Sequence, residues 1–259
     1  MSVKFLSLLF IIFPLYLSAE SVFSAKMEVG LFLPEIKGTI ENTQGTSDFE
    51  DDYKYETSEV SFFSLDVDVH KDYIPSISIS YLNMTTNMNS DLNKSVTVAD
   101  GNFSSAISTT IDYSMINAII YKDFVKKGTI FTIFGKSFYT GDLELDIGLN
   151  IKIVKWNFEI EDKRDLTKPI SWINAGLIVP LPHLALRYYV YDFSFYSEVS
   201  ALSMSDAKLM SYQMGIDYRI VNSIYLNGSY LYEHFEAVEE NDTIGFTTAG
   251  YKFSFKYIF

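Results

Sequence analysis

The most regular pattern of apolar and polar positions lies in the last nine residues, where every second position is aromatic. These positions are Tyr251, Phe253, Phe255, Tyr257 and Phe259. In a β-strand, successive side chains point to opposite faces, so the five rings share one face. A soluble protein buries such a face, whereas a strand of a membrane barrel exposes it to lipid and turns its other face to a polar lumen. The pattern therefore predicts a membrane-spanning strand.

The same two-residue alternation recurs along the chain and predicts an all-β fold. The expected architecture is a closed antiparallel transmembrane β-barrel of about ten strands, because an even number returns the last strand to the side of the first. The predicted strands are Lys26–Ile36, Thr57–Val69, Ile74–Thr85, Asn102–Lys122, Asp142–Glu161, Pro169–Val179, His183–Tyr196, Met210–Ile220, Ile224–Phe235 and Tyr251–Phe259.

Three irregularities interrupt this alternation. Within 142–161 the apolar phase changes near Ile153 and Val154, which predicts a β-bulge. Pro180-Leu181-Pro182 predicts a tight turn, since proline cannot donate a hydrogen bond to a strand ladder. The apolar, β-branched segment within 123–141 predicts an insertion that forms either a small hairpin or a packed plug.

The connections between the predicted strands alternate in length. Long polar loops, such as 37–56 and 86–101, alternate with short turns at 70–73, 180–183 and 221–223. Short periplasmic turns and longer extracellular loops are the rule for outer-membrane barrels. The alternation therefore predicts which end of the barrel faces the periplasm.

The N-terminal residues are typical of a secretory signal. Lys4 precedes an apolar run from Phe5 to Leu17, and small residues follow it. We expect residues 1–24 to be a signal peptide, with cleavage between Ala19 and Ala25, and residues 25–259 to form a single barrel domain. The run is too short for a membrane-spanning helix, and no later stretch has 18 apolar residues without a charge.

Composition removes several classes of function. The chain has no cysteine, which excludes disulfides, thiolate metal sites and cysteine nucleophiles. The formal net charge of −13 argues against a nucleic-acid partner, because phosphate binding needs a basic surface. The same charge permits divalent cations or basic partners at the surface.

If the apolar stripes face lipid, the opposite faces predict the lumen. The acids expected there are Asp66, Asp68, Asp112, Glu144, Asp146 and Asp217, and the bases are Lys122, Lys152, Arg187, Arg219, Lys252 and Lys256. The two sets balance, and a ten-stranded barrel is too narrow for the open water channel of 16–18-stranded porins. We expect paired charges in a packed polar lumen, with a structural or interaction role or restricted passage of small solutes.

No motif in the chain predicts catalysis or a cofactor. The three histidines are His70 and His183, both expected in periplasmic turns, and His234 near the outer end of the ninth strand. We predict no catalytic, cofactor-binding or metal-binding residues, and hence a protein that is not an enzyme. Acidic outer loops at 50–52 and 239–242 offer oxygen ligands for Ca²⁺ or Mg²⁺, although solvated surface charge is the favoured explanation.

Three other interpretations stay open. An outer-membrane hydrolase would use His234 as its base at the extracellular rim. A soluble periplasmic barrel with a lipocalin-like cavity would place apolar residues inside and polar residues outside. The last nine residues would also suit the edge strand of a soluble sandwich.

Several short segments resemble a family of outer-membrane β-barrel proteins of unassigned activity, common in epsilon-class proteobacteria. They are Gly30-Leu31-Phe32-Leu33-Pro34 with Gly38, Ile119-Ile120-Tyr121, Leu145-Asp146-Ile147-Gly148-Leu149-Asn150, Pro180-Leu181-Pro182 and the aromatic tail. Phe32 stands where the family often has Trp, and 126–140 is longer than usual. The resemblance implies fold and location without a reaction. The tail ending in Phe259 also resembles the signal by which the barrel-assembly machinery recognises its substrates, so the expected partners are that machinery and outer-membrane lipid.

Overall fold

A computed structural model describes residues 23–42, 45–48, 59–69, 73–91, 96–98, 101–103, 106–133, 136–163, 171–203, 207–239 and 242–259. Ten long strands form the barrel: β1 Phe23–Asn42, β2 Val60–Val69, β3 Ser76–Asp91, β4 Ala106–Lys126, β5 Asp142–Asp162, β6 Ser171–Val190, β7 Phe193–Ser203, β8 Ala207–Val221, β9 Ile224–Glu239 and β10 Asp242–Ile258. Among these residues no helix is long and apolar enough to cross a membrane. Residues 1–22 of the predicted signal peptide lie outside the described residues, and Phe23 and Ser24 begin β1.

The strands pair in sequence order, each antiparallel to the next, and the sheet closes on itself. Closure is made by β1 and β10, which pair from Lys26 with Ile258 to Glu41 with Thr243. A closed sheet leaves no free edge along the spanning strands, as a barrel in lipid requires. The predicted fold class is therefore confirmed.

An apolar belt surrounds the lower half of the barrel, the half next to both chain ends of the sheet. Its exposed side chains include Val29, Leu31, Ile77, Ile79, Ile120, Phe124, Ile147, Leu149, Leu184, Leu186, Phe195, Ile216, Leu226, Phe253 and Phe255. The predicted aromatic row of β10 faces outward, with Tyr251 61% exposed and Phe255 59% exposed. This orientation contradicts the lipocalin-like and sandwich interpretations, since both require these rings to be buried.

The upper half of the barrel has the opposite polarity. Inside it lies an apolar cap, which every barrel strand helps to build. The cap consists of Phe32, Ile36, Val60, Phe62, Leu82, Met84, Ile107, Ile111, Tyr113, Met115, Val154, Ile160, Val179, Leu181, Leu209, Leu231, Phe235 and Phe246, with Trp156, Leu177 and Leu202 packed against them. Outside it lie polar side chains such as Lys37 and Lys155. The strands thus continue beyond the membrane, where water is outside and a dry core is inside.

The bulge predicted in β5 is wrong. Pairing of β5 with both neighbours is continuous through Ile153 and Val154. What changes is the chemistry of the inward face, from Lys152 in the lower half to Val154 and Ile160 in the cap. The apolar phase moves to the other face because the strand leaves the membrane.

The turn predicted at Pro180-Leu181-Pro182 is also wrong. These residues lie inside β6 and pair with β5, Pro180 opposite Ile151 and Pro182 opposite Leu149. The actual turn is Tyr191–Asp192, where Tyr191 has a positive φ of 53°. Pairing of β6 with β7 ends at His183 opposite Ser200. The two prolines lie just beyond that point, where β6 has a ladder partner on one side only, so the missing N–H groups are tolerated.

The segment 123–141 contains a hairpin at the lower end of the barrel, so the hairpin interpretation is confirmed. Its strands are Ile130–Ile133 and Lys136–Tyr139. The hydroxyl of Tyr139 donates to the carboxylate of Asp142, and this hydrogen bond raises the pKa of Tyr139. At the upper end of the barrel, the short strand Gly45–Asp48 pairs with β1, and Val96–Val98 pairs with Gly101–Phe103.

Candidate functional site

The lower half of the barrel encloses a cavity of about 600 Å³. Its ceiling is the underside of the apolar cap, where Phe62, Leu82 and Leu231 line it. Its mouth lies at the lower end of the barrel, where Tyr225 and Arg219 line it. The cavity is therefore a chamber that opens at the lower end of the barrel and is capped by the upper half.

A first polar cluster in the chamber surrounds Arg187 on β6. Its Nη2 donates to Oε1 of Glu198 at 3.0 Å. Its Nε lies 3.5 Å from Oδ2 of Asp146 and 3.9 Å from Oε1 of Glu144. The hydroxyl of Tyr189 also donates to Glu144, at 3.2 Å. Three carboxylates on β5 and β7 thus share one guanidinium group.

A second cluster lies beside it on β1, β2, β3 and β4. Nζ of Lys26 is 2.8 Å from Oδ2 of Asp68, and the hydroxyl of Tyr121 donates to the other oxygen of that carboxylate. The neighbouring Asp66 accepts a hydrogen bond from the hydroxyl of Ser78. One lysine therefore faces two carboxylates.

A third cluster lies on the wall of the chamber next to the closing seam. Nζ of Lys256 is 2.8 Å from Oδ1 of Asp217 and 3.9 Å from Oε2 of Glu28. Asn227 donates to the same oxygen of Asp217 at 2.7 Å. The hydroxyl of Ser254 donates to Glu28. These contacts link the consecutive strands β8, β9, β10 and β1.

A fourth cluster lies where the chamber meets the cap. Lys152 forms a buried ion pair with Glu233. Glu233 also accepts hydrogen bonds from the hydroxyls of Tyr113 and Ser211, each at 3.0 Å. Nζ of Lys252 lies 3.9 Å from the centre of the Phe62 ring, a cation–π distance. The polar interior ends at these groups.

The chamber is more acidic than the sequence predicts. Among the described residues, ten carboxylates and six Lys or Arg side chains line it, so the predicted balance of charge is wrong. The residues missed are Lys26, Glu28, Asp123, Asp142, Glu198 and Glu233, together with Lys127 at the mouth. Parity within the strand identifies all of them except Asp123 and Lys127, because each of the others shares the inward face with residues that the apolar stripe opposes. Asp123 lies on the same face of β4 as the apolar Ile119 and Tyr121, and Lys127 follows the end of that strand.

Most predicted lumen residues do line the chamber or lie inside the barrel: Asp66, Asp68, Glu144, Asp146, Asp217, Lys152, Arg187, Arg219, Lys252 and Lys256. Arg219 lies at the mouth, where its Nη2 is 2.6 Å from Oδ1 of Asp192. The prediction that Asp112 and Lys122 face the lumen is wrong, since both lie on the outer face of β4. Their neighbours Tyr113 and Tyr121 are buried inside instead.

The histidines occupy two different environments. His183 lies inside the barrel rather than in a turn, and its Nδ1 is 2.9 Å from the hydroxyl oxygen of Ser200. His234 lies on the outer face above the belt, with Nδ1 2.9 Å from Oγ1 of Thr247. Its Nε2 is 3.8 Å from Oε2 of Glu236. His70 lies outside the described residues.

Lys208 is paired with Glu236, the carboxylate next to His234. Its Nζ donates to Oε1 of Glu236 at 2.7 Å, and this hydrogen bond lowers the pKa of Glu236. Glu236 thus accepts a hydrogen bond from Lys208 at the upper rim of the barrel. The arrangement places a hydroxyl, an imidazole and a carboxylate in a row on β10 and β9.

The described residues contain no group of three or more His, Cys, Asp and Glu side chains placed to hold a metal ion. The acidic loop at 50–52 and the side chains at 239–242 fall outside what the structure describes. Binding of divalent cations there stays a prediction.

No family model and no curated protein sequence matches this chain. Solved structures resemble it in overall shape. The outer membrane protease OmpT from Escherichia coli has a TM-score of 0.49 at 10% identity, covering 92% of this chain and 96% of its own. The translocator domain of the autotransporter NalP from Neisseria meningitidis has a TM-score of 0.40 at 15% identity, with 91% and 86% covered. The attachment invasion locus protein Ail of Yersinia pestis has a TM-score of 0.36 at 8% identity, with 92% and 99% covered.

Proposed function

We propose that this protein is an integral outer-membrane β-barrel whose lumen is a periplasm-facing chamber and not an open pore. Its role is then structural or interactive, with at most restricted passage of small solutes. The apolar cap is the observation that carries the proposal. Phe32 and Leu181 within it are each 0% exposed, and a packed apolar layer leaves no wet path for hydrated ions.

Conductance in planar lipid bilayers tests this proposal. We expect the full chain to conduct far less than an open porin. The double variant Phe32→Ala with Leu181→Ala removes two cap side chains and should increase conductance. The matched control, Phe253→Ala with Leu184→Ala, removes the same residue types from the belt and should not. Large conductance in the unmodified protein would contradict the proposal.

The apolar belt supports residence in the outer membrane, with lipid as the surrounding partner. Bacterial outer-membrane fractionation followed by a gel with and without heating tests this location. A folded barrel migrates differently from its heated form. Recovery of the protein only in the soluble periplasmic fraction would count against it.

The outward aromatic row supports recognition by the barrel-assembly machinery. The backbone N–H of Phe259 donates to the carbonyl of Ala25 at 2.8 Å, so the last residue extends the closing seam. Deletion of Phe259 should reduce the amount of barrel assembled in cells while leaving refolding in detergent intact. If the deletion variant assembles in cells as well as the unmodified protein does, recognition through Phe259 is refuted.

A hydrolase at the rim is the second candidate, favoured by the row of Thr247, His234 and Glu236. A hydroxyl 2.9 Å from an imidazole nitrogen is within reach for proton transfer. Purified protein screened with ester and peptide substrates tests it. Activity that disappears in His234→Ala and persists in His183→Ala would establish the enzyme. If the unmodified protein is no more active than His234→Ala, the hydrolase is refuted and the non-enzymatic barrel remains.

A further inference from the structure

We propose that the chamber binds a small organic cation carrying N–H donors, at the carboxylates around Arg187. The proposal rests on the proposed function for the route of entry, which is the periplasmic mouth. The site itself is formed by Glu144, Asp146 and Glu198 together with Asp66 on the neighbouring wall.

The first reason is that carboxyl groups outnumber lysine and arginine side chains in this part of the chamber. Arg187 faces three carboxylates, and only Glu198 lies at hydrogen-bond distance, 3.0 Å from Nη2. Lys26 lies beside two more carboxylates, of which Asp68 has the 2.8 Å contact. Like charges gathered inside a narrow barrel favour a further cation.

The second and independent reason is Asp146. This side chain is 1% exposed, yet its Oδ1 has no hydrogen-bond partner. Its other oxygen is 3.5 Å from Nε of Arg187, which itself has no hydrogen-bond acceptor. A buried carboxylate without a donor is costly, and such a group in a native structure points to a missing partner.

The chemistry of the missing partner follows from the acceptors that the site offers. Carboxylate oxygens need donors, and the excess of carboxylates requires that the donor be positive. A chelated metal is disfavoured, since the described residues contain no metal-binding cluster. A cavity of about 600 Å³ has room for an aliphatic amine. The class of ligand is therefore a primary amine or diamine, and ordered water is the rival partner.

Calorimetric titration of the full chain in detergent micelles tests the inference, with putrescine as the probe. Succinate serves as the matched dianion and MgCl₂ as the metal. We expect putrescine to bind and succinate to give no heat. Asp146→Asn keeps the shape of the side chain and removes its charge, so it should weaken putrescine binding at least tenfold.

Glu35→Gln removes an exposed carboxylate on the outer face of β1, so this control variant should bind like the unmodified protein. Heat-modifiable migration verifies that each variant is folded, and Glu198→Gln replaces Asp146→Asn if the latter does not fold. No binding of putrescine, binding unchanged in the chamber variant, or equal binding of Mg²⁺ would overturn the inference. Conductance of the same sample separates this result from the proposed function, since an open pore would refute the closed chamber and leave binding measurable.

Discussion

Replacing Phe32 by alanine tests whether the cap is a packed core. The side chain is 0% exposed and lies within the apolar cap. Its ring also covers the inward side of Gly250, where Cε2 would be 3.1 Å from a Cβ added at that glycine. An aromatic ring over a strand glycine compensates for the missing side chain. The substitution therefore removes both a core residue and the cover of the closing seam.

The magnitude follows from the buried area. A buried phenylalanine hides roughly 150–250 Å² from water. At about 25 cal/mol per Å² this corresponds to about 4–6 kcal/mol as an upper bound. Alanine retains part of that area, and measured core substitutions of this type cost about 3–5 kcal/mol. We expect Phe32→Ala to lower the free energy of unfolding by about 3–5 kcal/mol.

Phe253→Ala is the matched control on the neighbouring strand. Phe253 pairs with Leu31, faces lipid and is 55% exposed. Lipid fills the space that its ring leaves, so no cavity forms, and the expected loss is about 1.5–3 kcal/mol. Guanidinium titration in phospholipid vesicles, followed by the fluorescence of Trp156 and Trp172, measures both. A loss for Phe32→Ala that does not exceed the loss for Phe253→Ala would refute the packed cap.

Two further predictions concern the polar interior and the belt. Lys152→Met leaves Glu233 buried without its cation and should destabilise the barrel by about 3–5 kcal/mol in the same assay. Adding Glu233→Gln should restore much of that loss, and a double variant as unstable as the single one would contradict the ion pair. Ile147→Lys places a charge in the belt, where we expect a loss of about 2–4 kcal/mol. Lys155→Met, above the belt on the same face of β5, is the control, and its free energy of unfolding should change by no more than about 0.5 kcal/mol. Similar losses for both variants would show that no lipid contacts Ile147.

The lipid-facing side of the barrel could be predicted from the sequence because a two-residue period needs no tertiary information. The outward rows of β1, β3 and β10 are those that alternation indicates, including Val29, Ile79 and Phe255. Each row meets hydrocarbon along its whole length in the belt. A uniform environment imposes a uniform pattern, and that pattern survives in the sequence.

The rows of β4 could not be predicted from alternation alone. Ile119 and Tyr121 indicate an apolar stripe, yet both face the chamber. The hydroxyl of Tyr121 hydrogen-bonds to Asp68, so an aromatic residue is satisfied in a polar lumen. On the outer face above the belt, Asp112 accepts a hydrogen bond from Thr85 at 2.7 Å. Inward and outward positions of β4 are both of mixed polarity, and only pairing with the neighbouring strands separates them.

The change of apolar phase within a long barrel strand is better explained by the membrane boundary than by a bulge. At the upper edge of the belt, outward tyrosines occur on adjacent strands, and the rings of Tyr230 and Tyr251 lie 5.4 Å apart. Such aromatic girdles mark the interface between hydrocarbon and water. On the inward face near this level, Leu231 belongs to the cap. Above the belt, lipid no longer covers the outer face, so apolar side chains can be buried only on the inner face. The cap therefore begins where the belt ends. The charged chamber is consequently confined to the depth of the membrane.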